Sequence, residues 1–355
     1  MAASATTTSF FSAISAPRRY IATPAYDWLF FILSPVLAVV IAELLVSWAW
    51  PFDRTRFMGG EDRRIAFFGS LWTHGHLFAV VFRSHVNQEI YRKHRLRFTL
   101  VPVVVFLGIL VSEWALVTAI FLTAIWDVYH SSMQNFGLAR IYDAKAGNPP
   151  TAGRLLDVWI NHCIYIGPIL GGLSLVTTLN GLAGYQRLGW AAPVHVLQWI
   201  AAHQPEIRTV AIGLGSAYIV FYVLAWARLV RRGHQIPIQK VALLASVATA
   251  SIYAWGFLPP LEAFFVSNLF HGAQYFAIVW WFERGTLRNA LHLDASFRSV
   301  LLVFAVFASV IVGAALFYEA ALFNKLRWML AASLVISLMH FWYDSFIWSV
   351  RRHEV

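Results

Sequence analysis

LRWMLAASLVISLMHFWYDSFIWS, residues 326–349, is the stretch on which the fold turns. Apart from Arg327 it holds one formal charge, Asp344, in a run of apolar and small side chains. About 20 such residues cross the hydrocarbon core of a bilayer as a helix. The run is therefore predicted to span a membrane. His340 and Asp344 stand four apart, on one face of that helix. Ionisable side chains at bilayer depth are costly and mark functional positions. This one stretch thus predicts both a transmembrane helix and a polar site on it.

The same reading applied outward gives ten spans, at 27–50, 64–83, 97–112, 115–138, 155–178, 208–229, 238–257, 260–282, 298–319 and 326–349. Composition agrees: 59% of the 355 residues are hydrophobic and 12% are charged. Soluble domains carry roughly 25% charged residues, so lipid must cover much of this surface. The net charge of +10 lies in short loops between apolar runs, the pattern of cytoplasmic loops rather than of a nucleic-acid-binding face. No nucleic-acid partner is expected. Cys163 is the one cysteine, which excludes a disulfide framework and a thiolate metal site.

Alternating ten spans from a cytoplasmic N-terminus puts 19 Lys and Arg inside and 8 outside. The expected fold is an all-α, polytopic transmembrane bundle with both termini cytoplasmic. Residues 1–22, rich in Ala, Ser and Thr, lack the order of a signal peptide and read as a flexible cytoplasmic tail. Residues 23–355 form the transmembrane domain. Its longest outer loop is predicted to hold an interfacial helix near 190–203, with His195 and His203 solvated. Ser112–Glu113 and Pro259–Pro260 break neighbouring spans into helical hairpins. A bacterial inner membrane is the expected location.

Polar residues recur inside the spans at helical spacing. Asp127, His130 and Gln134 share a face, as do Asn268, His271 and Gln274. The fifth span carries Asp157, Asn161 and His162; the second carries His74 and His76. The last two are two apart, so one belongs to any common cluster and the other to a neighbour. His76, His130, His162, His271 and His340 lie 7 to 13 residues from the nearest cytoplasmic-side arginine of their spans. That is about 10 to 20 Å of helix at 1.5 Å per residue. Five imidazoles at one depth in the inner half predict one pocket.

Imidazole and carboxylate are ligands for iron, zinc and copper. The expected metal ligands are His74, His76, His130, His162, His271, His340, Asp127 and Asp344, holding one or two ions. Gln134, Asn268, Gln274 and Asn161 are expected to orient the rings. Tyr129 or Tyr343 would supply a proton. Iron is the expected metal, with zinc or copper as alternatives. His85 and His94 stand at the cytoplasmic boundary, where they can cap the site.

The segments Asp127–Gln134, His271–Gln274 and His340-Phe341-Trp342-Tyr343-Asp344-Ser345-Phe346-Ile347-Trp348, with Arg351-Arg352 after them, resemble a group of His-rich bacterial multi-span membrane proteins. The layout is similar to that of the Brp/Blh-type β-carotene dioxygenases, which are integral membrane proteins with His-ligated iron. The resemblance implies that His76, His130, His271 and His340 bind iron. The HxxxH and HxxHH boxes of membrane desaturases are absent. These readings lead to a membrane non-haem iron oxygenase or oxidase acting on a lipophilic substrate with O2, in contact with membrane lipids and a redox partner. A proton, metal-ion or small-solute transporter and a bis-His haem protein stay open beside it.

Overall fold

A computed structural model describes residues 19–48, 63–324 and 326–348. Among the described residues there is no strand. Eleven principal helices follow in order: α1 Ser34–Trp48, α2 Arg63–Val81, α3 Arg95–Val111, α4 Glu113–Lys145, α5 Arg154–Gly171, α6 Ala192–Ala202, α7 Gln204–Arg231, α8 Ile238–Phe257, α9 Pro260–Ala290, α10 Phe297–Asn324 and α11 Arg327–Ile347. Two π-helical stretches, Asp27–Ile32 and Phe82–Val86, lead into α1 and extend α2.

The helix breaks follow from local chemistry. Ser112 takes an extended backbone and its hydroxyl accepts from the Ala115 N–H at 3.2 Å, capping α4. The chain turns there by 119° between α3 and α4. Leu258 is extended because a following proline disfavours helical geometry, and Pro260 opens α9.

Four helices, α7, α8, α10 over Phe297–Ala321, and α11, are long and apolar enough to cross a membrane. The number rises to six if the bent pairs Pro24–Ile32 with Ser34–Leu44 and α3 with α4 are each one span. Helices α2, α5 and α9 fall outside this apolar set. They carry polar side chains such as His76, Asp157 and His271, which lower their mean hydropathy and are buried by neighbouring helices.

Helix α9 packs against α1, α2, α8 and α10; α11 packs against α2, α3, α4 and α10. Helix α7 is peripheral. It rests on α5 and buries only Trp226, and its Leu, Val and Phe side chains face outward. The expected outer helix exists as α6. His203 stacks on Trp199 at 4.5 Å and takes no part in a metal-capable group. Of the residues 1–22 expected as a flexible tail, 19–22 are described and stand in the fold. Tyr20 and Ile21 are buried, and the Asp27 carboxylate accepts from the Ile21 and Ala22 N–H groups. Residues 1–18 and the arginines at 351 and 352 lie outside the described residues.

Candidate metal centre

Four of the five histidines expected at one depth meet. His76 on α2, His271 on α9, His130 on α4 and His340 on α11 form a closed quadrilateral. Successive ring centroids are 4.9 Å (His76–His271), 5.1 Å (His271–His130), 4.7 Å (His130–His340) and 5.2 Å (His340–His76) apart. Adjacent rings are steeply inclined, at 70° to 87°. Their order mirrors helix packing, since α2 touches α9 and α11, and α11 touches α4. His76, His271 and His340 are 0% exposed and His130 is 5% exposed.

Two glycines leave room for side chains of neighbouring helices. A Cβ on Gly272, beside His271, would lie 2.5 Å from the Trp72 Nε1. One on Gly75, beside His76, would lie 2.8 Å from Ile311 Cγ2. The Trp72 indole N–H donates to the Leu269 carbonyl at 3.2 Å, tying α2 to α9.

Hydrogen bonding separates the four rings into two kinds. His340 Nδ1 lies 3.0 Å from the Leu77 carbonyl. A carbonyl only accepts, so Nδ1 carries the hydrogen and the neutral ring presents its Nε2 lone pair. That Nε2 is 3.0 Å from His130 Nε2. Both ring nitrogens of His76 and of His271 are buried with no hydrogen-bond partner. Buried polar atoms in folded proteins are paired as a rule. One nitrogen of each of these two rings has a free lone pair, so an ion in the pocket could engage two of the four.

A cation fits the spacing. An ion about 2.1 Å from each nitrogen lies roughly 3.2 Å from each ring centroid, which sets neighbouring centroids about 4.5 to 5.2 Å apart for square to tetrahedral arrangements. The observed separations, 4.7 to 5.2 Å, fall in that interval. Ligand atoms of His76, His271 and His340 lie within 4.8 Å of one another, as do those of His130, His340 and Asp344. Both groups use His340, whose one lone pair serves a single ion.

Asp344 stands beside the rings, its Oδ2 3.7 Å from His130 Nε2 and 3.8 Å from His340 Nε2. Its Oδ1 accepts from the Tyr275 hydroxyl at 2.9 Å and the Trp348 indole at 3.1 Å. Tyr275 also packs on His340, centroids 4.6 Å apart. Below this, Arg83 pairs with Glu283 at 2.6 Å and donates to the Ile347 carbonyl at 3.0 Å, joining α2, α9 and α11.

Several expected ligands stand elsewhere. His162 lies by Ser132 at 2.9 Å and between Tyr129 and Trp159, with ring centroids 5.5 and 5.8 Å away. Those α4 residues are on a different face from His130, so equal depth did not bring His162 to the pocket. Tyr129, expected as a proton donor, is 47% exposed and faces away. His74 stacks on Tyr318 at 3.5 Å and bonds Ser70 at 2.9 Å, with Glu319 at 3.7 Å. It belongs to the α2–α10 contact. Asp127 joins neither metal-capable group. Tyr343 is buried in a layer with Phe98, at 4.7 Å, and His85, at 6.3 Å.

The amides do not orient the rings. Gln134 donates to the His271 carbonyl and to Gln274, each at 3.1 Å, and Gln274 donates to the Phe31 carbonyl at 2.9 Å. They fix the α9 backbone. Asn161 and Asn268 bond the carbonyls of Asp157 and Phe264 on their own helices.

Sequence reasoning missed Tyr275, although it sits four after His271 and so on the same face. It also missed a second buried polar cluster. Asp143 and Asp157 each accept from Arg140 and Lys240, at 2.6 to 2.8 Å. Asp157 further accepts from Tyr222 at 2.8 Å and Trp226 at 3.3 Å. Arg140 and Lys240 read in the sequence as loop charges. No family model, curated protein or solved structure matches this chain.

Proposed function

We propose that this protein is an integral-membrane, non-haem iron oxygenase or oxidase with a lipophilic substrate. The observation that carries this reading is the four-imidazole quadrilateral, in which His76 and His271 each hold an unpaired lone pair. The donors are nitrogen and oxygen alone, and Cys163 joins no metal-capable group, which favours iron over softer metals. His76, His130, His271 and His340 hold one ion, because the two metal-capable groups share His340. Bound iron supplies the activation of O2, with electrons from a redox partner.

The remaining work belongs to the chain. Leu77 holds the His340 tautomer. Tyr275 and Trp348 hold the Asp344 carboxylate against His130 and His340. Asp344 keeps or releases a proton at Oδ2, the oxygen that faces the two rings. Phe341, 5.0 Å from His130, and Trp126, 6.2 Å from Phe341, stand on the α4–α11 side. That apolar seam is where a lipophilic molecule approaches. The charge distribution favours ten spans in a bacterial inner membrane, both ends cytoplasmic, with the site toward the inner leaflet.

Elemental analysis of the detergent-purified chain tests the reading. About one iron per chain is expected, and less than a tenth of one iron, zinc or copper would remove its basis. One observation favours a second reading: His74 with Glu319 continues the polar residues away from the pocket along α2 and α10, as an ion or proton path requires. Ion flux into proteoliposomes, with the metal content left intact, distinguishes it. Bis-His haem fits poorly, because rings spaced at 4.7 to 5.2 Å on all four sides leave no slot for a porphyrin.

A further inference from the structure

The structure assigns a second ligand site, for the phosphate of an anionic phospholipid, in the cleft between the start of α5 and the end of α7. This cleft, of ≈ 1030 Å³, is lined by Arg154, Arg228 and Arg232 beside Leu155, Phe221 and Leu224. It is remote from the histidine pocket, and none of the four site histidines lines it.

The three guanidinium groups are left without an internal counter-charge. Asp157 is the nearest acid in sequence to Arg154, three residues on. Its oxygens are already engaged by Arg140, Lys240, Tyr222 and Trp226. Among the described residues no carboxylate pairs with Arg154, Arg228 or Arg232. Arg228 and Arg232 are one helical turn apart, and like charges at that spacing repel. A phosphate offers several acceptor oxygens and matches the planar fork of arginine.

The apolar wall chooses a lipid over a free anion. Leu155, Phe221 and Leu224 are 68%, 54% and 64% exposed, on a helix pair that presents apolar side chains outward. A soluble phosphate has no use for that wall, whereas acyl chains cover it. Basic pockets at the membrane surface between transmembrane helices hold anionic headgroups in this way. Arg154 also lies over the Phe136 ring, 5.6 Å from its centroid, which limits its swing.

The test is a titration of the full chain in mild detergent with phosphatidylglycerol, phosphatidylcholine or inorganic phosphate, followed by thermal unfolding and native mass spectrometry. Phosphatidylglycerol alone is expected to raise the unfolding temperature and to persist as a one-lipid adduct. Arg228→Gln with Arg232→Gln should weaken that binding roughly tenfold or more. Arg284→Gln with Arg288→Gln, in a separate cleft beside Trp280 and Trp281, should leave it unchanged. Equal stabilisation by phosphatidylcholine would overturn the proposal. So would an equal response to inorganic phosphate, which would make the site one for a free anion. If the double variant does not fold, Arg154→Gln compared with wild type in a lipid-exchange experiment decides the question: loss of the adduct is expected, and its full retention overturns the site. Metal content plays no part in these readouts, so failure here leaves the iron reading untouched.

Discussion

Helix α4 carries two buried polar clusters, at His130 and at Arg140, about 15 Å apart along the helix at 1.5 Å per residue. They are built on opposite principles. Around Arg140, two cations meet two carboxylates, and Tyr222, Trp226 and Asn148 take up further lone pairs. Nothing is left over, and the group sums to zero charge. Around His130, four imidazoles and one carboxylate meet, and four ring nitrogens have no partner. A satisfied buried network fixes one arrangement. An unsatisfied one carries a desolvation cost that a bound water, ion or other partner would relieve. The first cluster holds helices α4, α5, α7 and α8 together; the second leaves imidazole nitrogens that could take a ligand.

The largest expected effect breaks this contrast at its functional end. His340→Ala removes the ring shared by both metal-capable groups, and metal per chain should fall to near zero by elemental analysis. His340 also touches the Leu77 carbonyl and Tyr275, so metal is counted per folded chain, and His340→Gln, which keeps much of the volume, should lose the metal equally. Next, Lys240→Met leaves two buried carboxylates facing a single arginine. It should cost about 3 to 5 kcal/mol of stability, read as a lower unfolding temperature, while metal per folded chain stays constant. If Lys240→Met emptied the metal site with the fold intact, the separation of the two clusters would be wrong. Tyr275→Phe sharpens the comparison from within. It removes one donor to Asp344 and should weaken metal retention about tenfold against a chelator, in the range known for groups that support ligands. Gln134→Ala is the smallest change. It frees one α9 carbonyl and should cost about 1 kcal/mol with metal content unaltered.

Much of this was legible in the sequence, and the rest fails for identifiable reasons. Apolar runs and the breaks at Ser112 and Pro259–Pro260 gave helices close to those observed. Residue counting gave depth, and depth found His76, His130, His271 and His340. Depth does not give azimuth, which needs the neighbouring helices. His162 has the right height and the wrong direction, and only packing of α5 on α4 reveals that. The two-residue spacing of His74 and His76 did carry azimuth, and the two rings do separate onto α10 and the pocket. Arg140 and Lys240 were misread because a basic residue at a span end looks the same in sequence whether it faces water or a buried acid. Asp157, an acid within a span, was the available signal, and its i−3 neighbour Arg154 on α5 hid the need for a partner from another helix.

The bare positions beside His76 and His271 set how the pocket behaves before any ion arrives. Contact of Trp72 with the Gly272 backbone fixes the separation of the two chains that bear these imidazoles. The spacing of the His76 and His271 rings is therefore set by a tryptophan seated on a glycine, a contact made by the fold itself. A side chain at position 272 would collide with Trp72 and push the two helices apart, so the geometry of the four rings hangs on one missing methyl group.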